Sequence, residues 1–567
     1  MIARQTYRKI RLIIYAVVVF ICQTSESALA FSQDQITVLM RSEGATEESK
    51  ERLGTRTTVR LAYSGSGLIA ALSMRNDPGE AFQWQPDLGW YGFDRISGYV
   101  RWRSQSMAVV ITAGHFALGI GQGLLFGRPG GTRFSASAPH KVVQNKNRIR
   151  GLSATTGARY FSGFSAQASV TTNVSIILFA SRRSFDAKKL TGSDSLTWSL
   201  SFSEDHHSED QQKKRNMVGE NSAGTALLFE SGAVRIGIAH FRSLFDSDVV
   251  WANRDTATKG RVATSISGAI QAGNIEMSAE VVVDSRDKTV LSGSVLAIKA
   301  TPSSALHLVA LVRHYPSSPA DLRSFGYRKS NALRNSSGIL LGWRMRPFPR
   351  WIFAASVDWG MGTPRELYHP GKREHFDART YFEANIGGKT RLRVQYRLAV
   401  SRDSDDANFT STDSFLPDSR LSFEKSTELS VSRISFELLR PINTSWRVRV
   451  RCELARSSIS GLPRGSGFHL YHELEFRPTK KIRLHGRYAI FESNSTDIRF
   501  YVYEPDVAGK LTTPSFSGTG NHLMLLARFQ DSIFSGMKVE LKWARGGRSL
   551  PRRIRRHQWT IQLIQTI

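Results

Sequence analysis

Between positions 391 and 543 the chain repeatedly sets a polar, mostly charged residue at every second position and an apolar one between. Trp446, Val448, Val450, Cys452 and Leu454 share one parity, and Arg447, Arg449, Arg451 and Glu453 the other. Leu392, Val394, Tyr396, Leu398 and Val400 oppose Arg391, Arg393, Gln395 and Arg397. Ile482, Leu484, Tyr488 and Ile490 oppose Lys481, Arg483, His485 and Arg487, and Met537, Val539, Leu541 and Trp543 oppose Lys538, Glu540 and Lys542. Successive side chains of a strand point to opposite faces, so each segment has one greasy wall and one charged wall. A helix would scatter the same charges around its circumference. A chain built of such strands satisfies both walls by closing into a barrel, with hydrocarbon against the outer one and water against the inner one.

The connections keep a matching rhythm. Short links at 64–67, 172–173, 231–232, 272–274, 302–304, 347–349, 387–389, 441–444 and 478–479 alternate with longer polar stretches such as 76–93, 316–334, 402–425 and 492–520. Membrane barrels have short turns on one side and long loops on the other. The expected fold is all-β, a large antiparallel transmembrane β-barrel of roughly 24 strands (range about 20–26), running from near 36–41 to 559–567. The last segment alternates and ends on apolar Ile567, a terminal strand of the kind that barrel-assembly machinery accepts, although an aromatic terminal residue is commoner. Trp84, Trp90, Trp102, Trp251, Trp351 and Trp359 fall near expected strand ends, where an aromatic girdle would sit.

The N-terminus reads as an export signal over 1–30. Arg4, Arg8, Lys9 and Arg11 precede an apolar stretch, and Ala28-Leu29-Ala30 is a small-x-small cleavage site. The barrel is expected over 31–567, in the outer membrane of a Gram-negative bacterium, against outer-membrane lipid and lipopolysaccharide. Of the two cysteines only Cys452 follows the signal, so no internal disulfide is expected. Mean hydropathy is −0.27, and past the signal there is no apolar run of the roughly 20 residues that a membrane helix needs. The net charge of +29 suits an anionic partner or solute, or a basic surface beside anionic lipopolysaccharide.

Several stretches resemble, in order, a family of large outer-membrane β-barrel proteins from Bacteroidota and related bacteria, in which a helix-hairpin-helix module often precedes the barrel. They are Arg75-Asn76-Asp77-Pro78-Gly79-Glu80, Gly92-Phe93-Asp94, Ser97-Gly98-Tyr99, the glycine-rich run from Gly114 to Gly127, Arg150-Gly151, Phe161-Ser162-Gly163, the run from Ser181 to Ala187, and the run from Arg499 to Val507. The resemblance implies an outer-membrane barrel and carries no residue-level activity. With no room for the module between signal and barrel, nucleic acid is not an expected partner.

Gly119-x-Gly121-x-Gly123, followed by Gly127, lacks the spacing and the Gly-Lys-Ser/Thr of a phosphate loop. It is expected to kink a strand or fold into the lumen, making 118–160 a luminal insert with these glycines at a constriction or plug. The crowded run 204–210 (Glu-Asp-His-His-Ser-Glu-Asp) lacks defined metal-ligand spacing and is expected to be a solvated outer loop, and 403–406 lacks the marks of a calcium loop. No G-x-S-x-G, H-E-x-x-H or paired-carboxylate signature is present, so neither catalysis nor a cofactor or metal is expected. Arg391, Arg393, Arg397, Arg447, Arg449, Arg451, Arg483 and Arg487 are the expected lumen-facing residues. Their rows suit either an anion-favouring pore lining or a salt-bridged lattice. The function expected is a channel or transporter for solutes, with anionic ones as the candidate class. An occluded structural or assembly barrel is the alternative, and an outer-membrane enzyme comes third. The substrate is not legible.

Overall fold

The computed structural model describes residues 34–47, 50–78, 80, 84–85, 90–104, 108–127, 134–143, 147–154, 160–189, 197–200, 206, 209–250, 258–285, 292–315, 323–324, 326–327, 333–364, 372–387, 389–404, 428–460, 463–531, 535–548 and 554–567. The export signal, Trp251 and residues 405–406 lie outside them. So do 128–133, 144–146 and 155–159 of the expected insert.

The chain forms a closed antiparallel barrel of 24 strands. Each pairs with its neighbour in sequence, and the first, Gln35–Glu47, closes the circle against the last, Ile554–Thr566, from Thr37 opposite Thr566 to Glu47 opposite Arg556. Backbone bonds between Ile36 and Ile567 seal the seam. Closure leaves no unpaired edge, the condition for a sheet to cross hydrocarbon. Three short strands, Arg148–Gly151, Ala187–Lys189 and Thr197–Leu200, extend the sheet at the long-loop end. The barrel strands overrun the expected limits, the first by six residues past position 41 and Val234–Val250 reaching 17 residues. A membrane requires only about 9–11 residues per strand, so the surplus carries paired sheet beyond the lipid.

The outer wall is apolar strand after strand. Leu68 on the third strand, Leu178, Leu227, Ile266, Leu341, Phe436, Leu454, Leu525 and finally Ile561 are all exposed. In a soluble protein such a patch would be a liability; around a barrel it is the lipid belt. Aromatic rings cluster at the short-turn end. Trp351 packs on Phe348 and Phe382 at 5.8 and 5.7 Å, and Trp446 stacks on Phe476 at 4.2 Å. Trp102 and Trp359 are also exposed on the outside. Among the described residues no helix is long and apolar enough to cross a membrane; the chain crosses with strands.

The luminal wall as candidate functional site

The interior has three different sectors. The first is filled. After strand Val109–Gly119 the chain turns inward, and Ile120, Leu124, Leu125 and Phe126 are buried against Phe161, Phe179, Phe241, Val282, Leu311 and Leu340, which lie on the inner wall. Phe126 meets Phe179 and Phe241 edge-on at 5.7 and 5.4 Å, a favoured aromatic geometry. The turn needs its glycines: Gly121 and Gly123 have φ of +57° and +83°, and a Cβ on Gly121 would lie 2.6 Å from Ser267 and 2.9 Å from Glu280. Gly119 ends the strand opposite Arg148, and Gly127 N–H donates to the Arg323 carbonyl at 2.7 Å.

A buried carboxylate anchors this turn. Glu280 accepts the N–H groups of Leu124 at 3.1 Å and Leu125 at 3.3 Å, while the Gly123 N–H donates to the Ile120 carbonyl at 3.1 Å. Gln122 donates to Ser278 at 3.0 Å. Consecutive backbone N–H groups in such a turn make an anion nest, here occupied by the barrel's own side chain. Farther along, Pro139–Val142 lies on the inner wall, with His140 stacked on His307 at 4.5 Å.

The second sector is wet and basic. All eight arginines singled out from the sequence lie on the inner face and are ion-paired. Arg397 and Arg379 share Asp377, each at 2.6 Å. Arg393 and Arg391 share Glu383 at 2.6 and 3.7 Å, and Arg393 also reaches Glu437 at 2.8 Å. Arg447, Arg477 and Arg483 surround Glu475. Arg449 and Arg487 share Glu473, and Arg451 and Arg433 share Glu453. The arrangement is therefore a lattice and also a surplus of positive charge, because most of these carboxylates serve two or three guanidiniums. Arg397, Arg447 and Arg483 keep 42%, 43% and 42% of their side chains exposed. They form a ladder from the short-turn mouth, at Arg391, Arg447 and Arg483, to mid-strand, at Arg397 and Arg451.

The third sector carries a second inward fold, within the 492–520 stretch expected to be a long polar connection. The connection after strand Ile482–Ser493 runs down inside the barrel as a hairpin, pairing Phe500 with Phe516 and Glu504 with Thr512. Phe500, Val502 and Phe516 bury against His469, Tyr471 and Phe491. Lys542 bridges Glu504 at 2.7 Å and Asp506 at 2.9 Å. At the tip, Arg41 donates to the Ala508 carbonyl at 2.8 Å, and Lys510 meets Glu43 at 2.8 Å.

At the long-loop mouth, His206 is buried rather than solvated. Its Nδ1 meets Asp94 at 2.9 Å and its Nε2 meets Asp186 at 2.8 Å. Burial alone would pull its pKa down, but the hydrogen bonds to Asp186 and Asp94 outweigh it and push it up to about 9. Glu80 accepts the His206 backbone N–H, and Arg215 pairs with Asp94 at 2.9 Å. Glu80, Asp94 and His206 bring ligand atoms within 4.8 Å of one another. Both imidazole nitrogens are already hydrogen-bonded to carboxylates, so the group reads as an internal ion cluster joining two loops and not as a cation site. No sequence spacing could reveal it, since its members come from separate loops.

No family model matches the chain, and no curated protein matches it. Among solved structures it is similar to the siderophore receptor PirA from Pseudomonas aeruginosa, at 7% identity and TM-score 0.43 over 94% of this chain and 80% of that one. It is also similar to the ferric enterobactin receptor PfeA of the same organism, at 7% identity and TM-score 0.45 over 95% and 82%. A third similar structure is OccK5 (OpdH), also from that organism, at 10% identity and TM-score 0.30 over 70% and 100%. At TM-scores this low the likenesses carry no argument. Strand pairing, closure and the apolar belt define the class, a membrane-spanning β-barrel with a partly filled lumen.

Proposed function

We propose that the protein is an outer-membrane passage for small anionic solutes. The observation that carries this is the arginine ladder, in which Arg397, Arg447 and Arg483 stay nearly half-open to water and guanidiniums outnumber carboxylates. A surplus of fixed positive charge in a narrow aqueous space between low-dielectric walls concentrates anions and excludes cations. The carboxylates hold each guanidinium in place, so the field is fixed in position. Reversal potentials of the purified full chain in planar bilayers under a KCl gradient test the proposal. Chloride selectivity is expected; cation selectivity, or silence across salts and voltages, would overturn it.

A second reading, an occluded barrel without flux, is favoured by the depth of the two inward folds, both tied to the wall by buried ion pairs or charge-assisted hydrogen bonds. Silence in the same bilayers would select it.

A further inference from the structure

The inward hairpin presents two tyrosines that the barrel wall does not use. Along its first arm, side chains alternate as in any extended segment. Phe500, Val502 and Glu504 are buried against the wall, while Tyr501 and Tyr503 keep 55% and 53% of their surface exposed. The arm lies at mid-barrel depth, since Arg487, in the middle of strand Ile482–Ser493, donates to the Tyr503 carbonyl at 2.8 Å. Both rings therefore face the open lumen and not the medium outside. Tyr501 also lies within electrostatic range of Arg433, on the inner face of strand Glu428–Pro441. The ladder reaches its upper end beside this arginine.

Exposed tyrosine rings opposite a basic wall are a recognition surface with two parts. The ring faces offer flat apolar area with a polar rim, suited to stacking against a sugar or aromatic ring. The guanidiniums offer planar, charge-assisted hydrogen bonds to a carboxylate or phosphate. A simple inorganic anion would use only the second part. We propose that Tyr501 and Tyr503, with Arg433, form a luminal binding site for a solute that combines a ring with an anionic group, either a carbohydrate acid or an aromatic acid. That this ligand is the transported solute rests on the anion passage proposed above; the binding site itself does not.

Titration calorimetry on the detergent-solubilised full chain tests the site without requiring conduction. Four probes are compared: trigalacturonate, benzoate, neutral maltotriose and ringless succinate. At least one ring-bearing anion is expected to bind about tenfold more tightly than maltotriose or succinate. Trigalacturonate ahead of benzoate would identify a carbohydrate acid, and the reverse an aromatic acid. The Y501A/Y503A double variant should lose this advantage and Y501F/Y503F should keep most of it, with heat-modifiable gel migration showing that both fold. Succinate binding as well as the ring-bearing anions, the alanine variant binding unchanged, or no probe binding at all would overturn the site. Binding without ion current would leave the site standing and sink the passage. Anion current without ring-anion binding would sink only the site.

Discussion

Glu280 shows how much one side chain can decide. It is fully buried, and at least two backbone N–H groups of the glycine turn have it as their acceptor. Glu280→Ala would leave those donors buried and unpaired, at a cost of about 3 kcal/mol. A lower unfolding midpoint in detergent is expected, together with larger or noisier single-channel currents as the turn loosens. Unchanged stability would show that the nest is not an anchor. His206 makes a different prediction, for the mouth. Its pKa is raised by folding, to about 9 from the ordinary 6.5. Its contribution is therefore fully present below about pH 6.5 and falls away as pH rises towards about 9. Limited proteolysis of the outer loops should accelerate across that window in the wild type, and His206→Ala should be cut rapidly at neutral pH. Equal cutting rates at pH 6 and pH 9 would contradict the clamp.

At the scale of elements, the two inward folds differ in what the sequence discloses. The first announces itself twice. Its glycines mark a turn that needs positive φ, and the strands beneath it lose their alternation. Ile176-Ile177-Leu178-Phe179, Ile339-Leu340-Leu341 and Val281-Val282-Val283 are continuous apolar runs, because lipid lies on one side and the insert on the other. Strands buried on both faces read this way, and these runs are the signal by which the insert's path could have been traced. The second fold leaves a fainter mark, the short alternation of Phe500 to Tyr503. Replacing 500–516 by a short Gly-Ser linker should enlarge the conductance while the folded barrel keeps its heat-modifiable migration. An unchanged conductance would mean that the hairpin does not narrow the passage.

At the scale of the whole molecule, the half-filled lumen concentrates function on the arc where alternation is cleanest. Arg393, Arg397 and Arg447 carry three of its paired charges. Changing all three to glutamine leaves Asp377, Glu383 and Glu475 each with at least one arginine partner, and Glu437, which loses Arg393, with the Tyr471 hydroxyl at 3.4 Å. The barrel should therefore fold, while its chloride selectivity falls sharply. Retained selectivity would place the filter elsewhere, and failure to fold would assign the ladder to the lattice alone.

Period-two patterning determined the barrel, its approximate strand number, the direction of its arginines and the rhythm of its turns. Each of those follows from local backbone geometry and from which medium a side chain must meet. Which carboxylate each arginine finds, how Asp94, Asp186 and His206 come together, and how far the hairpin descends were decided only by closure of the sheet. Register between strands and the packing of loops against an enclosed wall depend on contacts between residues far apart in the chain, for which one linear pattern holds no record.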